Sequence, residues 1–259
     1  MKAPRILVAS MLLAMSIAPL SAQTETPASP NVSLQVPGGK DIPGYLVVPE
    51  GKPPFPAVLL IHEWWGLSRN IAGLADRLGA EGYLVLAVDL YRGSFARSAQ
   101  EAAELATAKR FEEYGMVADA ALSWLALRPE ADRARLGCVG FCFGGRQALF
   151  EAARNQEVKA TVALYGSGLL TTPEALGVLD GSHHLLGVYG ELDPSISAAQ
   201  RAAFAKLLAD RGVPYTEAVY PGVGHAFVKD DRVDLPGPAA DAWKKVLAFL
   251  DQNLKQTGF

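Results

Sequence analysis

The chain has 259 residues, 24 Lys and Arg against 27 Asp and Glu, a formal charge of -3, and a hydrophobic fraction of 50%. That length suits one large α/β domain with a well-buried core. Mild acidity without basic clusters argues against nucleic acid as a partner.

In chain order, residues 1–22 read as a secretory signal peptide. Lys2 and Arg5 form a basic start, Ile6 to Leu20 an apolar run, and Ser21-Ala22 a small-residue cleavage point before Gln23. The run is shorter than the ~20 residues of a membrane span. Cleavage is therefore expected, with a periplasmic or secreted product that is not stably inserted in a membrane. The mature chain would run over 23–259 as a single domain, and the loss of Lys2 and Arg5 would take the charge from -3 to -5.

Residues 23–30 read as a flexible leader. Val32–Val36 and Tyr45–Val48 are expected to open the fold as a hairpin, turning through Pro37-Gly38-Gly39. Ala57–His62 is a continuous apolar run, the pattern of a strand buried on both faces. The spacing then predicts a helix over 69–80, a strand Leu84–Val88, and helix over 99–127 with a break near Tyr114-Gly115. Strands follow at Leu136–Gly140, Val158–Tyr165, Leu185–Tyr189 and Tyr215–Tyr220, and helices at Gly144–Ala153, Ser197–Arg211 and Ala239–Leu254. This alternation after an antiparallel start predicts an α/β fold, a mostly parallel central sheet with helices on both faces.

Cys138 and Cys142 are the only cysteines. Along a strand they would stand roughly 13 Å apart, too far to bridge, so two free thiols are expected in an exported chain. Cys138 falls inside the strand and reads as a small buried hydrophobe. Cys142 lies in Gly140-Phe141-Cys142-Phe143-Gly144-Gly145, the G-x-S-x-G form with Cys for Ser, after a strand and before a helix. There the helix N-terminus favours a thiolate, and the Phe143 N–H stands where an oxyanion donor is needed.

A thiol nucleophile needs a base, and the base needs an orienting group. Asp193 follows the strand Leu185–Tyr189 and His225 follows Tyr215–Tyr220, in the order nucleophile, acid, histidine. Glu191 is the alternative acid. His62, His183 and His184 read as structural, His62 packing at the pocket floor. No Cys/His/carboxylate spacing suggests a metal site, and no cofactor is expected.

With these residues placed, the sequence resembles the dienelactone hydrolase family, within the α/β-hydrolase superfamily. The likeness rests on His62-Glu63-Trp64-Trp65-Gly66-Leu67, Asp89-Leu90-Tyr91, Gly140 to Gly145, Gly190 to Asp193 and Pro221-Gly222-Val223-Gly224-His225-Ala226-Phe227. It implies hydrolysis of a small ester or lactone through a cysteinyl thioester, by a monomer or small homo-oligomer. It implies that Glu63 controls the ionisation of the resting nucleophile and that the Trp64 N–H is the second oxyanion donor. Lys229 stands where family members place a substrate-binding arginine, keeping the charge without the bidentate fork. A second arginine is sought among Arg92, Arg97 and Arg110, with Arg92 the candidate for substrate binding beside Trp65. Cleavage of other esters, or binding without catalysis on the same scaffold, stay open as alternatives.

Overall fold

The computed structural model describes residues 25–35 and 39–255. The expected signal peptide, 1–22, and the Val36 to Gly38 part of the hairpin lie outside these residues. Among the described residues eight strands form one sheet: β1 (Val32–Leu34), β2 (Ile42–Val47), β3 (Phe55–Ile61), β4 (Leu84–Val88), β5 (Ala131–Phe141), β6 (Val158–Leu164), β7 (His184–Gly190) and β8 (Tyr215–Tyr220). Their spatial order is β1-β2-β4-β3-β5-β6-β7-β8. β1 pairs antiparallel with β2, and β2 with β4, while every other pairing is parallel. The expected antiparallel opening and parallel centre are both present.

All seven residues of β3 are buried, and the strand period divides them between two cores. Ala57, Leu59 and Ile61 face one, Val58 and Leu60 the other. The first core is closed by α3 (Phe111–Ala126), α4 (Phe143–Arg154) and α5 (Ala198–Arg211), through residues such as Val117, Leu149 and Phe204. The second is closed by α1 (Arg69–Ala80) and α6 (Pro238–Leu250), through Ile71, Leu74, Trp243 and Val246. Ile71, Leu74 and Leu78 recur at helical spacing on α1, whose start is capped by Ser68 accepting from the Ile71 N–H. Truncating a fully enclosed residue such as Leu59 to Ala is the kind of change that costs about 2–5 kcal/mol.

The break expected at Tyr114-Gly115 is not there. α2 (Ala99–Thr107) ends and α3 begins across residues 108–110, so Tyr114 and Gly115 lie inside α3. Gly115 serves close packing: a Cβ on it would meet Arg154 Nη1 at 2.9 Å and Phe150 Cε1 at 3.0 Å. The closing helix also ends earlier than expected, at Leu250, and a π-helical turn, Asp251–Lys255, follows. That turn carries Leu254 into the core against Gly137, where a Cβ would stand 2.8 Å from Leu254 Cδ1.

Candidate active site

β5 runs directly into α4 through Cys142, whose φ of 54° and ψ of -114° lie outside the ordinary wells for an L residue. The turn is tight enough that two neighbours must be glycine. A Cβ on Gly140 would sit 1.9 Å from the Gly144 carbonyl oxygen, and one on Gly144 would sit 2.3 Å from the Ile61 carbonyl oxygen. The Cys142 N–H donates to the Leu164 carbonyl at 2.9 Å, tying the turn to β6. The N–H groups of Phe143 and Trp64 act on the Cys142 sulfur and favour its charged form. Burial and the nearby Glu63 carboxylate outweigh them, and the thiol is pushed up to about 12. The resting group is thus a thiol, not the thiolate that a helix N-terminus alone would favour.

His62 does more than fill the pocket floor. It is fully buried, its Nδ1 lies 2.5 Å from the Glu63 carbonyl oxygen, and its Nε2 lies 3.1 Å from the Leu90 backbone nitrogen. Because the Leu90 N–H must donate, Nε2 is the acceptor and Nδ1 carries the proton. Burial lowers the pKa of the ring, which fits this neutral tautomer. Clamping the carbonyl of the Glu63–Trp64 peptide also aims its N–H, because a trans peptide is planar and the two groups point opposite ways. His62 therefore orients the Trp64 N–H toward Cys142.

Asp193 and His225 are brought together from the ends of β7 and β8. His225 Nδ1 donates to Asp193 Oδ2 at 2.6 Å, which leaves Nε2 as the nitrogen available to a nucleophile. Glu191, the alternative acid, instead accepts from the Gly222 N–H at 3.0 Å. Asp193 is buried, which works to raise its pKa, yet hydrogen bonds from Ser195 and His225 hold the carboxyl below its ordinary value. Ser195 was not singled out by sequence reasoning. Its N–H and Oγ donate to Asp193 Oδ1 at 2.9 and 2.6 Å, an Asx-type turn that Asp-Pro-Ser could have signalled. Tyr165 was missed as well. It follows β6 with a φ of 41° and sets its ring edge-on to His225 at 5.1 Å.

Glu63 and Lys229 meet at the site. Lys229 Nζ donates to Glu63 Oε2 at 2.7 Å and also to Glu25 Oε1 at 2.9 Å. Burial raises the pKa of Glu63 against the pull of Lys229, and its buried Oε1 has no hydrogen-bond partner among the described residues. Burial also opposes the charge on Lys229, but the two carboxylates hold its ammonium above the usual range. Lys229 is thus already taken by two acids from this chain. Arg92 is likewise engaged, with its guanidinium on the carbonyls of Lys40 and Asp41. Arg110 pairs with Glu113 at the surface. Trp64 and Trp65 are half-buried and pack edge to face at 5.3 Å. Among the described residues no group of three His, Cys, Asp or Glu side chains is placed to hold a metal ion. Both cysteines are free.

The sequence model of the Dienelactone hydrolase family matches residues 42–254. The chain belongs to the dienelactone hydrolase family. An Aquifex aeolicus (strain VF5) protein named "Putative carboxymethylenebutenolidase" is 31% identical over 226 residues, covering 84% of this chain and 96% of the relative. A Methylorubrum extorquens protein of the same name is 31% identical over 257 residues, covering 92% and 88%. Among solved structures, a "Putative Dienelactone Hydrolase" from Klebsiella pneumoniae superposes with a TM-score of 0.72 at 28% identity, covering 85% of this chain and 98% of its own. The metagenomic dienelactone hydrolase-like phosphotriesterase P91 gives 0.73 at 21% identity, a likeness of fold. The architecture is accordingly the α/β-hydrolase fold, and the chain is a dienelactone hydrolase-like hydrolase.

Proposed function

We propose that this dienelactone hydrolase-like protein cleaves an ester or lactone with Cys142 as nucleophile and a thioester as intermediate. The Cys142 sulfur bonds to the carbonyl carbon while its proton passes to His225 Nε2. The carbonyl π electrons move onto oxygen, which the N–H groups of Phe143 and Trp64 receive. Collapse restores the carbonyl and breaks the bond to the alcohol oxygen, which leaves with the proton from His225. Water, giving a proton to His225, then attacks the thioester, and Cys142 departs with its electron pair. Asp193 keeps the Nδ1–H of His225 in place throughout. Substrate entry displaces Glu63, removing the nearest negative charge and letting the thiolate form.

The observation that carries this reading is the convergence of the Phe143 and Trp64 N–H groups on the Cys142 sulfur. A thiolate is a good leaving group, so a tetrahedral intermediate with a poor alcohol or amine tends to revert. Enol lactones and aryl esters are therefore expected substrates, and plain alkyl esters and amides poor ones. The test follows the ultraviolet loss of a conjugated enol lactone and phenol release from an aryl acetate, in wild type and Cys142→Ala. Lactone turnover that vanishes in the variant supports the lactonase. Aryl acetate turnover alone points to a general carboxylesterase or deacetylase on the same machinery. Turnover equal in both proteins would exclude Cys142 chemistry, and turnover of neither substrate would favour a binding scaffold. The basic, apolar and small-residue layout of residues 1–22 supports export of the mature protein.

A further inference from the structure

The stretch read as a flexible leader is held down where the structure describes it. The Ala28 N–H donates to the Leu67 carbonyl at 2.9 Å, and the Arg69 N–H donates to the Thr26 carbonyl at 2.8 Å. Pro27 forms an antiparallel bridge with Ser68. These contacts deliver Glu25 to Lys229 in an ion pair whose side chains are 12% and 16% exposed. Glu25 lies outside the 42–254 stretch that matches the family. Beside the pair is a cavity of about 310 Å³ lined in part by Arg69, Asn70, Asp230 and Asp231.

We infer that Glu25 is a specificity-determining residue that neutralises Lys229 and biases Cys142 toward uncharged substrates. This rests on the reading of Cys142 as the nucleophile. One ammonium between two carboxylates leaves a net negative charge, and low local dielectric strengthens its field. When a substrate displaces Glu63, Glu25 remains on Lys229, so the cation is still matched. An anionic substrate gains no free cation there and meets the surplus charge. With Glu25 neutral, the Lys229–Glu63 pair balances, and Lys229 is free to receive an anion once Glu63 moves.

The experiment uses two pairs of neutral and anionic probes on the full chain, Glu25→Gln and Glu25→Asp. Iodoacetamide and iodoacetate read charge selection at Cys142 without requiring turnover, with labelling located by mass spectrometry. Methyl 4-acetoxybenzoate and 4-acetoxybenzoate read it in hydrolysis. In Glu25→Gln the iodoacetate-to-iodoacetamide rate ratio, and the matching ratio of kcat/KM for the esters, should rise about tenfold at low salt. Glu25→Asp, which keeps the charge, should stay within about twofold of wild type. Unchanged ratios in Glu25→Gln, or equal shifts in both variants, would overturn the inference. A shifted alkylation ratio with no turnover of either ester would uphold charge selection and sink the hydrolase reading instead.

Discussion

The two sides of Cys142 are built in opposite ways. One side is backbone: a strained turn between β5 and α4, glycines where no Cβ fits, and a Trp64 N–H aimed by a neutral buried imidazole. The other side is charge: Glu25, Glu63 and Lys229, drawn from three distant parts of the chain and held by one another. The backbone side is stiff, because each alternative position meets a neighbouring atom. The charged side can be retuned by a single neutralising substitution without moving the sheet. On the proposed mechanism, placement of the reacting carbonyl and control of ionisation are therefore separable.

The largest effect should come from breaking the stiff side at its centre. Cys142→Ala is expected to lower ester turnover by about 10⁴-fold or more, with the thermal midpoint little changed, as read by steady-state kinetics beside a melting curve. Gly144→Ala attacks the same side through shape. Its methyl would stand 2.3 Å from the Ile61 carbonyl oxygen, so a denaturant titration should show a loss of about 3 kcal/mol or more. A loss under about 1 kcal/mol would mean the turn relaxes more easily than its contacts imply.

His62 tests whether the stiff side works by aiming one N–H. His62→Leu should lower kcat by about 10²-fold with KM little altered, and slow Cys142 alkylation far less than turnover, since the Trp64 N–H is one of several influences on the thiol. His62→Asn places an amide nitrogen where Nδ1 stands and should recover most of that loss. A Leu variant that slows alkylation as much as turnover would show a general collapse of the site rather than a mis-aimed donor.

The smallest effect sharpens the charged side. Burial and the Glu63 carboxylate hold the Cys142 thiol up at about 12, so the thiolate fraction at neutral pH is small and grows about tenfold per pH unit. Glu63→Gln removes one upward push and leaves burial in place. The iodoacetamide profile should move partway to lower pH, with labelling at pH 8 about tenfold faster than wild type. A profile that stays put would free Cys142 from control by Glu63.

Much of the fold could be read from the sequence by itself, because its signals are local. β3 and β4 are unbroken apolar runs that can only be buried on both faces, and Gly140 to Gly145 marks a sharp strand-to-helix turn wherever it lies. The placement of Asp193 and His225 was legible for the same reason, each following the carboxyl end of its own strand, where such folds gather polar groups. Gly115 misled, since a glycine that opens room for a neighbouring helix looks the same in one dimension as one that breaks a helix. The partners of Lys229 could be known only from the tertiary structure. Charge pairing depends on distance in space, and Glu25 and Lys229, 204 positions apart in sequence, share no periodic signal that the two would meet. The same holds for the resting state of Cys142, where burial and one carboxylate outweigh the helix N-terminus, a balance that local sequence cannot weigh.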